Sequence, residues 1–421
     1  MEEVESGGMS RTRRTRAAAA AAFAGALAGT AVALAPALAP RAAEAAAPPL
    51  RADTRLPAWV APGVELTVRG WADAGERVEL RANGIRLAGT TAGRLGGFTL
   101  RAAAPARAGR YALALWTPTR RTPLAPLVVR PVVLAAGGDV NLGDRIGAAI
   151  ADGGPDAPWA HVAPLLRAAD LAVVNLECAV SDRGAPAAKQ YVFRGAPRSL
   201  GGLARAGVDA VSVANNHAYD YGAEAFLDTL AHARRHGVAP FGGGRDLAAA
   251  RRPVVLERGG LRIALLGYSD VRPLGVDAAP GKPGTARADT GWIAEDVRAA
   301  RRRADVVVVY FHWGAELART PDGRQRAFAE AALGAGAAVV LGAHPHVLQP
   351  LERRRGAVVA WSLGNFVFGA ASPGTTETGV LLVRLARDGA RGAELVPARI
   401  HGFTPVPDRA RAAAALRRLA A

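Results

Sequence analysis

Cysteine is nearly absent from this chain. Cys178 is the single one in 421 residues, which excludes an intramolecular disulfide framework and any cysteine-rich zinc site. Lysine is almost as scarce, with Lys189 and Lys282 alone, so the formal charge of +17 is carried almost entirely by arginine. Arginine together with abundant alanine and glycine fits a genomic base-composition bias, so charge alone assigns no nucleic-acid partner. The expectation is no nucleic acid, although a basic surface attracts any anionic polymer through a screened long-range field. Two catalytic signatures are also missing. There is no strand–Gly-x-Ser-x-Gly elbow and no P-loop, which leaves serine hydrolase and nucleoside triphosphatase readings without support. No internal repeat is found.

What is present is apolar. Hydrophobic residues make up 50% and charged residues 21%, enough for a large core and too ordered a composition for general disorder. At roughly 100–200 residues per domain, the length predicts two or three domains. Residues 1–50 read as a targeting segment plus linker, with Arg11, Arg13, Arg14 and Arg16 ahead of an apolar run from Ala17 to Ala35. A cleaved signal peptide and an uncleaved membrane anchor both fit, and both predict an extracytoplasmic, exported chain. Residues 51–131 show short alternating segments such as Glu65-Leu66-Thr67-Val68, divided by turn signals such as Asn83-Gly84. They predict a small immunoglobulin-like β-sandwich that acts as a spacer or docking module.

Residues 132–405 change to repeated strand–loop–helix. Apolar runs at Val132–Ala136, Leu171–Asn175, Ala210–Ala214, Ile263–Gly267, Val306–Phe311, Ala338–Leu341 and Val358–Trp361 predict a largely buried sheet in an α/β architecture. Glu224–His236, Asp296–Arg303 and Arg324–Leu333 predict helices between them. Residues 406–421 predict a terminal helix.

The polar residues fall in a pattern. Almost every apolar run is followed at once by groups that bind metals or move protons. These are Asp139 and Asn141; Glu177; Asn215, Asn216, His217 and Asp220; His312 and Glu316; His344 and His346; and Asn365. In open α/β sheets ligands bind beyond the carboxyl ends of the strands, where such groups converge. Imidazole and carboxylate without thiolate suit Mn, Fe or Zn, so a divalent transition metal is expected. His232 and His236 lack the glutamate of a metalloprotease helix and read as a solvated face. Gly242-Gly243-Gly244 reads as a plain loop, and Cys178 as a packed residue.

The ordered motifs Gly138-Asp139-Val140-Asn141-Leu142-Gly143, Asn175-Leu176-Glu177, Asn215-Asn216-His217-x-x-Asp220, His312-Trp313-Gly314, His344-Pro345-His346 and Ser362-Leu363-Gly364-Asn365-Phe366 resemble the CapA (PgsA) family of poly-γ-glutamate capsule biosynthesis proteins. That family in turn resembles the calcineurin-like metallophosphoesterases. The resemblance implies a four-layer α/β/β/α metallophosphoesterase-like domain. It implies metal ligands at Asp139, Glu177, Asn216, His312, His344 and His346, with catalytic His217 and Asp220. Asn141 stands where phosphoesterases carry histidine, and Glu177 is one methylene longer than their bridging aspartate. The first metal position is therefore incomplete, while Glu177, Asn216, His312 and His344 are expected to form a full second one. Lys189, Arg194 and Asn365 are expected to bind an anionic polymer or phosphoester substrate. The resemblance implies membrane-bound polymer ligase subunits as partners. Two roles follow from it: a metal-dependent hydrolase, or a non-catalytic subunit that binds or guides the polymer.

Overall fold

The strand Val132–Val140 is buried along all nine residues. A strand with no solvent-facing alternate can only lie in a sheet covered on both faces. In the computed structural model, which describes residues 49–420 apart from 274, 355, 370, 371 and 373, this strand is the middle of an eight-stranded sheet. On one side run the parallel strands Leu171–Leu176, Ala210–Ser212 and Ala239–Phe241. On the other lie the antiparallel strands Glu377–Ala386, Gly389–His401 and Thr404–Pro407, and the short strand Asn365–Val367 pairs with its carboxyl end. The targeting segment expected within residues 1–50 lies outside the described residues except for its last two positions. Among the described residues no helix is long and apolar enough to cross a membrane.

A second sheet has six strands in the order Val254–Arg258, Leu261–Ser269, Val306–His312, Val339–Ala343, Ala357–Ala360, Leu351–Arg354. Its inner strands are parallel. Three apolar clusters set the layers. Leu134, Ala136, Leu171 and Val173 of the first sheet pack against Ile263, Leu265, Val306 and Val308 of the second. The outer face of the first sheet is covered by Ile146, Ile150, Leu203, Phe226, Leu230 and Ala415 from its helices. The outer face of the second is covered by Ile293, Val297, Phe328 and Ala332. The order is helices, sheet, sheet, helices.

Side chains at the ends set where helices start. A short helix begins at Leu247, because the Asp246 carboxylate accepts from the Ala249 N–H and caps it. The helix expected from Asp296 begins earlier, at Thr290, capped by Asp289 in the same way. Gly243–Gly244 is a two-residue strand on Gly284–Thr285, where the sequence reads as a loop. The hairpin Glu377–Ala386 and Gly389–His401 adds strands beyond the expected ones: its first strand carries the apolar run Val380-Leu381-Leu382-Val383, while its second has none of that length.

Ahead of these layers, Glu65–Trp71 and Gly97–Ala103 pair, and the sheet Ile85–Thr91, Arg77–Ala82, Leu113–Trp116, Arg121–Pro123 faces them across Val68, Val78, Leu80, Phe98 and Leu115. This N-terminal module shares its core with the layered part, since Val60, Leu127 and Val129 belong to the same cluster as the inter-sheet residues. Arg130 fixes the junction. Its guanidinium lies 3.7 Å over Trp59 and donates two 2.8 Å hydrogen bonds to Asp170.

Candidate metal centre

The carboxyl ends of the parallel strands in both sheets open on one place. Asp139 precedes the last residue of Val132–Val140, Glu177 follows Leu171–Leu176, His312 ends Val306–His312, and His344 follows Val339–Ala343. Two devices bring the ends close. The Tyr310 hydroxyl of the second sheet donates to the Gly137 carbonyl of the first at 2.7 Å. At Gly138 an added Cβ would stand 1.8 Å from the Gly364 carbonyl oxygen, so only glycine admits the loop that carries Asn365.

Asp139, Glu177 and His312 are completely buried. Two overlapping groups share Glu177, one with Asp139 and His312, the other with His344 and His346; within each, ligand atoms lie inside 4.8 Å of one another. The His312 and His344 rings are 4.7 Å apart. Asn216 Oδ1 lies 2.7 Å from His312 Nε2, and Glu177 Oε1 is 3.3 Å from the same nitrogen. Both carboxylate oxygens of Glu177 and Nδ1 of His344 are buried without a hydrogen-bond partner among the described residues. A buried, unpaired carboxylate costs more than a fold tolerates without compensation. A divalent cation among these donors removes that cost, so the residues fit a metal.

The electrostatics agree. Burial first, and Glu177 second, push the Asp139 carboxyl up to about 7. Burial likewise raises Glu177. Burial lowers His312 to about 3 and His344 to about 2, which keeps both imidazoles neutral, as ligands must be. His346 goes the other way: burial pulls it down, but Glu177, Asp139 and Asn365 together hold it above its ordinary value. His344 and His346 also take positive φ, at 96° and 59°. Two non-glycine residues in that region around Pro345 store local strain, which marks functional loops.

Beside this cluster, His217 Nδ1 lies 2.7 Å from Asp220 Oδ2, and the ring stacks on Phe193 at 4.1 Å. Asp220 is fully buried and receives the Phe193 N–H at 2.6 Å. Lys189 Nζ reaches Asp220 Oδ1 at 2.5 Å and the Asn216 carbonyl at 3.0 Å. With Nδ1 engaged, Nε2 is the ring nitrogen left for a reacting atom. Phe193 meets Phe368 edge-on at 5.8 Å, and Phe368 lies 5.1 Å from His346.

Two residues expected to bind substrate, and Asn141, make contacts within the protein. Asn365 Oδ1 faces His346 Nδ1 at 2.8 Å while its amide donates to the Thr375 carbonyl, so it holds His346. Arg194 is exposed, with its guanidinium 4.2 Å over Tyr221. Asn141 accepts from the Gly143 N–H at 2.8 Å and donates to Asp144, a local turn that commits both its polar atoms. Two asparagines at neighbouring strand ends organise the centre. Asn175 donates to Asp139 Oδ1 at 2.8 Å, stands 3.2 Å from His312 Nδ1, and accepts from Asn215. Asn215 also donates to the Leu176 carbonyl and accepts from the His217 N–H. An asparagine at the end of an all-apolar run was the available signal.

The chain is 32% identical over 297 residues to the "PGA biosynthesis protein CapA" of Bacillus subtilis (strain 168), covering 70% of this chain and 78% of that one. It is 29% identical over 278 residues to the "Capsule biosynthesis protein CapA" of Bacillus anthracis, covering 64% and 68%. A solved 5'-nucleotidase precursor from Thermus thermophilus is similar at TM-score 0.38 and 13% identity, over 69% of this chain and 58% of that one. A likeness that weak assigns no activity. Residues 133–370, more than half the chain, match the family described as "Bacterial capsule synthesis protein PGA_cap". That stretch runs from the first buried strand through Asn365 and takes in every donor of the centre, and by it the chain belongs to this bacterial capsule synthesis family.

Proposed function

We propose that this chain serves poly-γ-glutamate capsule synthesis outside the cytoplasm, as a metal-dependent hydrolase acting on an anionic polymer or ester. The observation that carries the metal site is the fully buried Glu177 carboxylate, neither oxygen of which has a hydrogen bond among the described residues, shared by two donor groups. Asp139, Glu177, Asn216, His312, His344 and His346 would hold Mn, Fe or Zn, with Glu177 common to both positions. A divalent ion supplies Lewis-acid polarisation of a carbonyl or phosphoryl oxygen and lowers the pKa of water. The layer order and the donors at strand ends support a metallophosphoesterase-type domain, and the facing sheets of residues 51–131 support an immunoglobulin-like type for the N-terminal module.

The chain's own residues do the rest. In hydrolysis the oxygen of water joins the carbonyl or phosphoryl centre, the bond to the leaving nitrogen or oxygen breaks, and that leaving atom takes a proton. His217 delivers it from Nε2 as the imidazolium, with its Nδ1–H held by the Asp220 carboxylate, and the proton that the attacking water loses returns the ring to that state. Lys189 pairs with Asp220 and holds it in place, and Asn175 fixes Asp139 and His312. Phe193 and Phe368 wall the approach from His217 to His346 and keep water from it.

The commitment of Asn141 to its own turn favours a second reading, in which one ion position is reduced and the chain guides the polymer without cutting it. Elemental analysis of the purified protein against His312→Ala/His344→Ala, followed by sizing of poly-γ-glutamate after incubation, separates the readings. Bound transition metal that the variant loses, with shortened polymer, supports the hydrolase. Bound metal with polymer of unchanged length supports the guide. A protein that retains no metal after gentle purification overturns both as metal-site readings.

A further inference from the structure

The outer face of the sheet Ile85–Thr91, Arg77–Ala82, Leu113–Trp116, Arg121–Pro123 belongs to no part of the metal centre. Along Arg77–Ala82 burial alternates, so Val78, Leu80 and Ala82 enter the module's core while Arg77, Glu79 and Arg81 point outward. The register extends this row across the sheet. Arg86 stands opposite Arg81, Trp116 opposite Glu79, and Arg121 opposite Trp116. Four guanidinium groups and one carboxylate thus share one face. It spans three strand spacings, roughly 14 Å.

The cluster is built rather than scattered. Glu79 Oε2 accepts from Arg81 at 2.8 Å, while Oε1 lies 3.2 Å from Arg86 Nε and 3.7 Å from Arg77 Nε. Gly89 makes the room: a Cβ there would meet the Arg86 guanidinium at 2.8 Å. The Trp116 ring carries Arg81 at 4.7 Å and Arg121 at 5.3 Å. Arg121 has no carboxylate partner among the described residues. Guanidinium groups held by an indole and by a shared carboxylate lose less freedom when they bind an anion. They stay open to solvent, with Arg77 at 64% and Arg86 at 49% side-chain exposure, while Glu79 is at 16%.

We propose that this arginine face of the N-terminal module is a docking surface for the capsule polymer, an extended chain bearing a carboxylate on every repeat. The inference rests on the capsule-polymer reading above, and it adds a second contact remote from the metal chemistry in the sequence. Glu79 already displays the contact that the ligand repeats, one carboxylate received by neighbouring guanidinium forks. The surplus of three positive charges is complementary to a polycarboxylate. The surface keeps the growing chain on the protein whether or not the metal centre cuts it.

The test uses the full chain with sized poly-γ-glutamate as probe and a DNA oligonucleotide of matched charge as comparator, at physiological ionic strength. Arg86→Ala/Arg121→Ala removes two outward side chains without touching the core. It is expected to weaken polymer binding about tenfold, equivalent to about 1.4 kcal/mol, with an unchanged melting temperature. Arg86→Lys/Arg121→Lys, which keeps the charge and loses the fork, recovers only part of that affinity. Polymer affinity equal to wild type in the alanine pair overturns the proposal. So does oligonucleotide binding as tight as polymer binding, which makes the face a generic polyanion or nucleic-acid surface. His312→Ala/His344→Ala separates this failure from failure of the metal reading. If the arginine pair alone weakens binding, the docking surface stands without a polymer-acting metal site. If the histidine pair alone does, the surface falls and the metal site remains.

Discussion

His217 depends on its neighbours for its chemistry. The Asp220 carboxylate, buried and 2.7 Å from Nδ1, is the acceptor that holds a hydrogen there, with the Lys189 ammonium 3.3 Å from the same nitrogen, and Nε2 is the ring nitrogen left for a reacting atom. Asp220→Asn keeps the shape and reverses the preference, because an amide can donate to Nδ1. For a hydrolase, turnover should drop by about 10²–10³-fold, in the range of a lost general acid, while bound metal, measured by elemental analysis, stays at the wild-type amount. Equal loss of metal and turnover would instead make Asp220 a scaffold residue for the Asn216 loop. The same reasoning separates Lys189 from a substrate clamp. Its ammonium is committed to Asp220 and the Asn216 carbonyl, at 2.5 and 3.0 Å, and so is less available to a passing carboxylate than the loop position suggests.

At the scale of the elements, the centre exists because two sheets bring their carboxyl ends to one place. The strand Val306–His312 contributes both the ligand His312 and, two residues earlier, the inter-sheet strut from Tyr310 to the Gly137 carbonyl. Tyr310→Phe leaves that buried carbonyl unpaired. The expected loss is about 1–3 kcal/mol of stability, read by denaturant unfolding, together with weaker metal retention, since Asp139 lies two residues beyond Gly137. Stability lost with metal affinity intact would show that the sheets hold their spacing without the strut. The two asparagines act at the same scale. Asn175 and Asn215 sit on neighbouring strand ends and tie Asp139, His312 and the His217 loop together through four side-chain hydrogen bonds at 2.8–3.2 Å.

The whole molecule carries the cost of burying these donors, and that cost depends on pH. Asp139 titrates at about 7 when folded and at its ordinary value of 3.8 when unfolded, so the metal-free fold gains stability from it at low pH and loses it as pH rises toward 7. His312 and His344, lowered to about 3 and about 2, act in the opposite sense. Their contribution is present above 6.5 and is lost as pH falls, because the unfolded chain takes up protons that the buried rings refuse. Asp139→Asn deletes the opposing part. Between pH 6.5 and 4 the metal-free variant should therefore lose more melting temperature than metal-free wild type, by roughly 5 °C. Identical pH slopes would show that Asp139 is not the raised carboxyl.

The class of fold and the family can be read along the chain. Short, valine-rich apolar runs such as Val306–Phe311 read as buried strands by length and β-branched content, and polar groups directly after them collect at one sheet edge by topology. The ordered donors Asp139, Glu177, His312, His344 and His346 were legible for the same reason, since their place is fixed by local chain order. The rest depends on contacts between residues distant along the chain. Asn365 looked like a substrate residue, but its side chain is used up on His346, 19 residues away. Asn175 looked like the end of an apolar run, but it meets His312, 137 residues away. The arginines gave only a total charge until the strand register put Arg77, Arg81, Arg86 and Arg121 on one face around Glu79 and Trp116. Hydrophobic periodicity is a local property and can be read from a string. Which polar atom satisfies which, and which charges share a surface, is fixed only when distant segments are brought to hydrogen-bonding distance.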